Sequence, residues 1–169
     1  MNILLAFASK HGSTREISEA IAEELQKFEH TVTLRAVEDV AAIDDYDAII
    51  AGSAVYAGNW MPQARKFATR LEDELHDRPL WLFSSGPLGV EEPQPQGDPQ
   101  GIAELVEATK ARGHQLFVGK LEKESLGLGE KLIVRAVKAP YGDFRDWQAI
   151  QGWAREIAGE LDALPAAVG

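Results

Sequence analysis

The residues best suited to chemistry lie near the start of the chain, in the run Ser9, Lys10, His11, Gly12, Ser13 and Thr14. The chemistry they suit is the holding of a phosphate. Gly12 lets the backbone approach an anion closely, and Ser9, Ser13 and Thr14 carry hydroxyl donors. The run falls between the apolar segment 2–8 and an amphipathic pattern that begins near Arg15. A strand, a short turn and a helix in that order leave backbone N–H groups unpaired at the turn. The positive end of the helix dipole lies at the same place. Nucleotide or mononucleotide binding is therefore one reading of this turn. The other is an ordinary strand-to-helix connection in which Ser and Thr cap the helix.

Two further loops have the composition of ligand contacts. The segment from Ser53 through Ala54, Val55, Tyr56, Ala57, Gly58 and Asn59 to Trp60 sets two aromatic rings among small residues. Either ring could stack on a flat ligand, or fold back to anchor the helix that follows. The longest irregular stretch is 85–100, and with the end of the preceding strand it makes the loop 84–100. It carries Ser84, Ser85, Gly86, Pro87 and Leu88, then Pro93 and Gly97, and long irregular loops in compact domains tend to be functional.

The elements that must position these loops alternate along the chain. Strands are expected at 2–8, 31–36, 47–51, 79–84 and 115–119, and helices at 15–28, 62–76, 100–111 and 147–161. The second strand is the least apolar, as an outer strand would be. Pro62 suits the first turn of its helix. Strands alternating with helical crossovers imply an α/β fold with a parallel sheet covered on both faces. In such a sheet ligands lie beyond the carboxyl ends of the strands, where all three loops fall. With 169 residues and no visible linker, the expectation is a single domain over 1–164 and a frayed tail at 165–169.

Composition narrows the function. There is no cysteine, which removes disulfides, thiolate nucleophiles and cysteine-bound clusters. The four histidines, His11, His30, His76 and His114, lack ligand-like spacing, so no metal site is expected. A formal charge of −10 argues against nucleic acid and is compatible with a basic protein partner. Apolar runs are too short to cross a bilayer and no secretory signal pattern is visible, making the cytoplasm the expected location.

On these residues the chain resembles the flavodoxin-like FMN proteins from Met1 to about Leu161. The phosphate-loop pattern Ser-x-x-Gly-x-Thr stands at 9–14, and the flavin-facing loop at 52–58. Within that fold it looks most like the group containing the menaquinone-dependent protoporphyrinogen oxidases, whose ending is similar to Gly142–Trp147 followed by Trp153–Ala158. The resemblance implies a flavodoxin-like three-layer sandwich with a five-stranded parallel sheet in the order 2-1-3-4-5. It implies FMN with its phosphate on Ser9–Thr14 and its ring between 54–60 and 84–88. Two departures stand out: His11 replaces the Thr usual in electron-carrier flavodoxins, and 84–100 holds no aromatic to cover the second flavin face.

The segment 120–146 is longer than a connection requires. Over 120–138 five basic residues face three acidic ones, interleaved with Leu126, Leu128, Leu132, Ile133, Ala136 and Val137. This amphipathic stretch could meet an anionic or quinone-like substrate, rest on a membrane surface through Lys131–Lys138, or pack on the core. Two functions follow. One is an FMN-dependent oxidoreductase of the protoporphyrinogen-oxidase-like group that passes electrons from a small substrate to a quinone. The other is a flavodoxin electron carrier that serves a redox protein and turns over no small molecule.

Overall fold

The computed structural model describes residues 1–86, 97–136 and 141–164. The expected positions Pro87 and Leu88, most of the loop 85–100, Val137, Lys138 and the tail 165–169 lie outside these.

Strand β1 (Asn2–Ala8) shows why the sheet is covered on both faces. Its side chains alternate, with Ile3 and Leu5 entering one core and Leu4 and Ala6 the other, all fully buried. Each buried Leu or Ile contributes about 1.5–3 kcal/mol relative to exposure. On one face lie helix α1 (Ser13–Gln26), through Ile17, Ile21 and Leu25, and the final helix, through Ile150, Ile157 and Leu161. The other face is covered by α2 (Pro62–Arg70) with Ala64 and Phe67, α3 (Glu72–His76) with Leu75, and α4 (Ile102–Thr109) with Ile102.

The remaining strands are β2 (Thr31–Ala36), β3 (Ala48–Tyr56), β4 (Asn59–Trp60), β5 (Leu80–Ser85) and β6 (Gly113–Phe117). The parallel order is β2-β1-β3-β5-β6, with β4 folded back on β3. Leaving out the two-residue β4, this is the expected order 2-1-3-4-5 of a flavodoxin-like α/β sandwich, and the less apolar 31–36 is an outer strand. Gly113–Phe117 precedes the expected 115–119 by two residues.

Three other expectations require correction. The strand expected at 47–51 runs on to Tyr56, because small residues there belong to the sheet. A Cβ on Gly52 would stand 2.0 Å from Cζ of the buried Phe83. Gly52 is thus the floor on which that ring rests, inside a group of rings formed with Phe117 and Trp153. The helix expected over 62–76 breaks at Leu71, whose backbone leaves the helical region (φ −113°, ψ 23°). The third correction concerns 120–146. It forms a small antiparallel pair, β7 (Lys120–Leu121) with β8 (Gly142–Asp143), enclosing α5 (Leu128–Ala136). Leu126 is buried, but Leu128 and Leu132 are 85% and 69% exposed, so these two leucines do not pack on the core.

Helix α6 (Trp147–Asp162) is opened by Asp146, whose carboxylate accepts from the Ala149 N–H at 2.9 Å. Arg145, just before it, has a side chain only 2% exposed. It pairs with Asp143 through two nitrogens, reaches Glu16 at 2.7 Å, and lies over the Trp147 ring. This knot fastens the β7–β8 pair to the first turns of α1.

Candidate functional site

The three loops singled out from the sequence come together at the carboxyl ends of β1, β3 and β5. The first begins at Ser9, whose Oγ accepts from the Gly12 N–H at 3.1 Å. Gly12 then turns left-handed (φ 87°) and caps α1 without a side-chain bond, so hydroxyl capping is not what starts this helix. Residues other than glycine are strained at that φ. The first helical bond given by the cap runs from the Glu16 N–H to the Gly12 carbonyl at 2.9 Å. The N–H groups of Ser13, Thr14 and Arg15 lie ahead of it, at the positive end of a fourteen-residue helix.

Thr14 is fully buried and its hydroxyl meets that of Ser85 at 2.7 Å, joining the first loop to the end of β5. Ser13 Oγ accepts from the Lys120 N–H at 3.2 Å, which brings the 120–146 segment against the same turn.

The second loop is a hairpin. Tyr56 pairs with Asn59 across Ala57 and Gly58, both with positive φ (47° and 77°), the conformation of a tight two-residue turn that follows the sheet's twist. Its two aromatics have different fates. Trp60 is buried, and its indole N–H donates to Ser84 Oγ at 2.7 Å. Tyr56 is 40% exposed and stands beside the first loop, with Lys10 Nζ 5.6 Å from its ring centroid and the His11 ring edge-on at 6.3 Å. Partial burial, followed by the negative charge of Glu130, pushes the Tyr56 phenol up to about 12.

The third loop contributes Ser84, Ser85 and Gly86, whose N–H donates to the Phe117 carbonyl at 3.0 Å. Ser84 Oγ also meets His114 Nε2 at 2.8 Å, and His114 Nδ1 faces Asp98 Oδ1 at 3.5 Å. The backbone of Gln100 donates to the Gly58 carbonyl at 2.7 Å, tying the end of this loop to the hairpin turn.

Sequence reasoning missed Glu130. From α5 its carboxylate accepts from Lys10 Nζ, from His11 Nε2 at 3.0 Å and from the Gly127 N–H at 2.9 Å. These bonds, led by Lys10, hold the Glu130 carboxyl down to about 2. The first loop therefore already holds an anion at Lys10 and His11. Nothing local in the sequence could reveal this contact, which spans 120 residues. Arg65 was missed as well, while Asn59 belongs to the second loop already singled out. They help Lys10, Tyr56, Trp60, Met61 and Pro62 to line a cleft of about 700 Å³ between the hairpin and the start of α2.

A family model described as flavodoxin domain matches residues 4–147. The chain belongs to this flavodoxin-domain family. No curated protein matches the sequence. Among solved structures, a flavodoxin from the domain Archaea is 17% identical with a TM-score of 0.62, covering 96% of this chain and 99% of that one. An oxidised flavodoxin 1 from Bacillus cereus is 16% identical with a TM-score of 0.62, covering 98% and 100%. Rubredoxin oxygen:oxidoreductase from Desulfovibrio gigas is 15% identical with a TM-score of 0.64, covering 96% of this chain but 36% of its own. At such identities these likenesses are of fold.

For a flavodoxin-domain protein the cofactor is FMN, and the first loop fits its phosphate. It offers helix-initial N–H groups, a glycine at the turn with no atom nearer to its Cβ position than Glu16 Oε1 at 3.7 Å, and the Lys10 ammonium and a His11 ring nitrogen that already bind a carboxylate. Among the described residues no helix is long and apolar enough to cross a membrane.

Proposed function

We propose that this flavodoxin-domain protein is an FMN electron carrier that serves a redox protein partner. Bound FMN supplies the capacity to accept and pass on electrons. The protein's residues would bind and orient it: the N–H groups of Ser13 and Thr14 and the Thr14 hydroxyl would hold the phosphate, with Ser9 bracing Gly12, Lys10 adding positive charge and His11 a ring nitrogen. The hairpin 54–60, led by Tyr56, would form one wall beside the ring, and Ser84, Ser85 and Gly86 would form the other. The observation that carries this reading is the meeting of the three loops at one end of the sheet, joined by the Thr14–Ser85 hydroxyl bond. The acidic charge of −10 favours a partner with a basic face.

A second reading, an oxidoreductase that turns over a quinone or another small redox substrate in the manner of the protoporphyrinogen-oxidase group, is favoured by the open cleft beside Tyr56 with Lys10 and Arg65 on its rim. One experiment separates them. Chemically reduced holoprotein is mixed with cytochrome c, as a basic redox protein, or with menadione, and reoxidation is followed by absorbance. Fast, salt-sensitive reoxidation by the protein supports the carrier. Saturable turnover of the quinone that is lost in Arg65→Ala supports the oxidoreductase and overturns the first reading.

A further inference from the structure

Trp60, Ser84, His114 and Asp98 form a continuous chain of contacts behind the hairpin wall. The distances are 2.7 Å from Trp60 Nε1 to Ser84 Oγ, 2.8 Å from Ser84 Oγ to His114 Nε2, and 3.5 Å from His114 Nδ1 to Asp98 Oδ1. A serine, a histidine and an aspartate in this order invite comparison with a hydrolytic triad. That use is closed here, because Ser84 is fully buried in β5 and the indole N–H already occupies one of its lone pairs.

The direction of the chain can be worked out from its donors. An indole nitrogen only donates, so Ser84 Oγ accepts from Trp60 and is left with its own proton to give. Among the described side chains His114 Nε2 is the acceptor within reach of that proton, and we assign it as unprotonated because this gives the Ser84 proton a partner. The ring's proton sits on Nδ1 and points toward Asp98. In this arrangement each proton has one acceptor, and the imidazole is neutral.

Protonation of His114 would upset that arrangement. Nε2–H would then take the second lone pair of Ser84 Oγ, and the Ser84 proton would need a new acceptor inside the sheet. Among the described residues the charged group facing the ring is Asp98, from the segment before α4, while β5 and β4 contribute the neutral Ser84 and Trp60. Burial lowers the His114 pKa against the opposing pull of Asp98, which agrees with a neutral ring.

The chain ends at residues that position the flavin loops. Trp60 pairs with Val55 next to the Tyr56–Asn59 pair, and its buried ring fixes the base of that turn. Ser84 precedes Ser85, which holds Thr14 in the phosphate loop. We propose that His114 is a positioning residue which, as the neutral Nδ1–H tautomer, locks Ser84 and Trp60 together, so that FMN affinity falls when this ring is protonated. The inference rests on the reading of these loops as the FMN site.

The test compares the parent, His114→Gln and His114→Phe by FMN fluorescence titration between pH 5 and 8. Glutamine can accept from Ser84 and donate toward Asp98 without titrating. Losing one such buried hydrogen bond corresponds to about tenfold in affinity. The parent is expected to bind FMN more weakly than His114→Gln toward the acid end of this range, by up to about tenfold once the ring is protonated, and equally well at pH 8; His114→Phe should be weak throughout. The FMN phosphate titrates in the same window, but equally in both proteins, and so cancels in this comparison. In parallel, the Trp60 indole N–H resonance of the apoprotein is followed by NMR. It should shift with pH in the parent and not in His114→Gln. Should no form bind FMN, the cofactor reading fails, and the indole signal alone decides the inference. Identical pH profiles of parent and His114→Gln, or an indole signal that ignores pH, would overturn it.

Discussion

The hydroxyl pair Thr14–Ser85 can be dissected without disturbing shape. Both residues are at most 5% exposed and their oxygens are 2.7 Å apart. Thr14→Val removes one hydroxyl at nearly constant volume and leaves the Ser85 oxygen buried without that partner. Ser85→Ala does the reverse. A buried hydroxyl stripped of its partner costs about 1–3 kcal/mol, whereas replacing both partners by apolar groups comes close to neutral. Each single variant should therefore lose about 1–3 kcal/mol in urea denaturation of the apoprotein, with an unchanged slope. The double variant should lose less than the sum, with a coupling of about 1–2 kcal/mol. FMN affinity should separate the two residues. If Thr14 gives its proton to the phosphate and accepts from Ser85, Thr14→Val loses a charge-assisted bond of about 1.5–3 kcal/mol, or about ten- to hundredfold in affinity. Ser85→Ala should change the affinity by less than about threefold, a fraction of one neutral hydrogen bond. Strictly additive stability losses, or equal FMN affinities in the two single variants, would refute the reasoning.

Three further outcomes are expected. Glu130 has a depressed pKa, so its ion pair stabilises the fold above the ordinary carboxyl value of 4.5 and is lost as pH falls toward about 2. With Lys10 half exposed this amounts to about 1 kcal/mol or less, so Glu130→Gln should flatten the acid limb of the stability profile and bind FMN at least as tightly as the parent; a large loss of affinity would contradict the view that Glu130 engages cations available to phosphate. Gly52→Ala drives a methyl into the Phe83 ring and should cost about 1–3 kcal/mol or more in urea denaturation; a parental midpoint would show that the aromatic group yields freely. Arg145→Met strips Asp143 and Glu16 of their shared cation, at about 1–3 kcal/mol because those carboxylates remain partly hydrated, and should speed hydrogen exchange at the Lys120 amide; unchanged exchange would disconnect the β7–β8 pair from α1.

What the sequence revealed depended on how locally each feature is encoded. The bounds of β1 and β2 coincide with their apolar and alternating patterns, and the run 9–14 makes the turn from β1 into α1 that its composition indicated. The extension of β3 through Gly52 and Ser53 was hidden because small residues look like loop. In the fold their smallness makes room for Phe83, which comes from another strand. The break at Leu71 carries neither glycine nor proline to announce it. Trp60 offered two fates, stacking on a ligand or anchoring the helix that follows, and the structure buries its ring with the indole N–H bonded to Ser84 on β5. Glu130 and His114 face the loops only because the chain returns from far away. Neither has a local pattern to mark it, and His114 was noticed only as one of four scattered histidines.

The pairing of Lys120 with Asp143 and of Leu121 with Gly142 brings both ends of the intervening segment to one point beside α1. A loop whose ends are already pinned can lengthen cheaply, since doubling it adds only about 0.6 kcal/mol of closure entropy. The five-stranded sheet does not bear that change. The β7–β8 clamp thus works as a grafting socket: α5 could be exchanged for a shorter or longer insert, altering what borders the turn 9–14, without redesigning the scaffold beneath it.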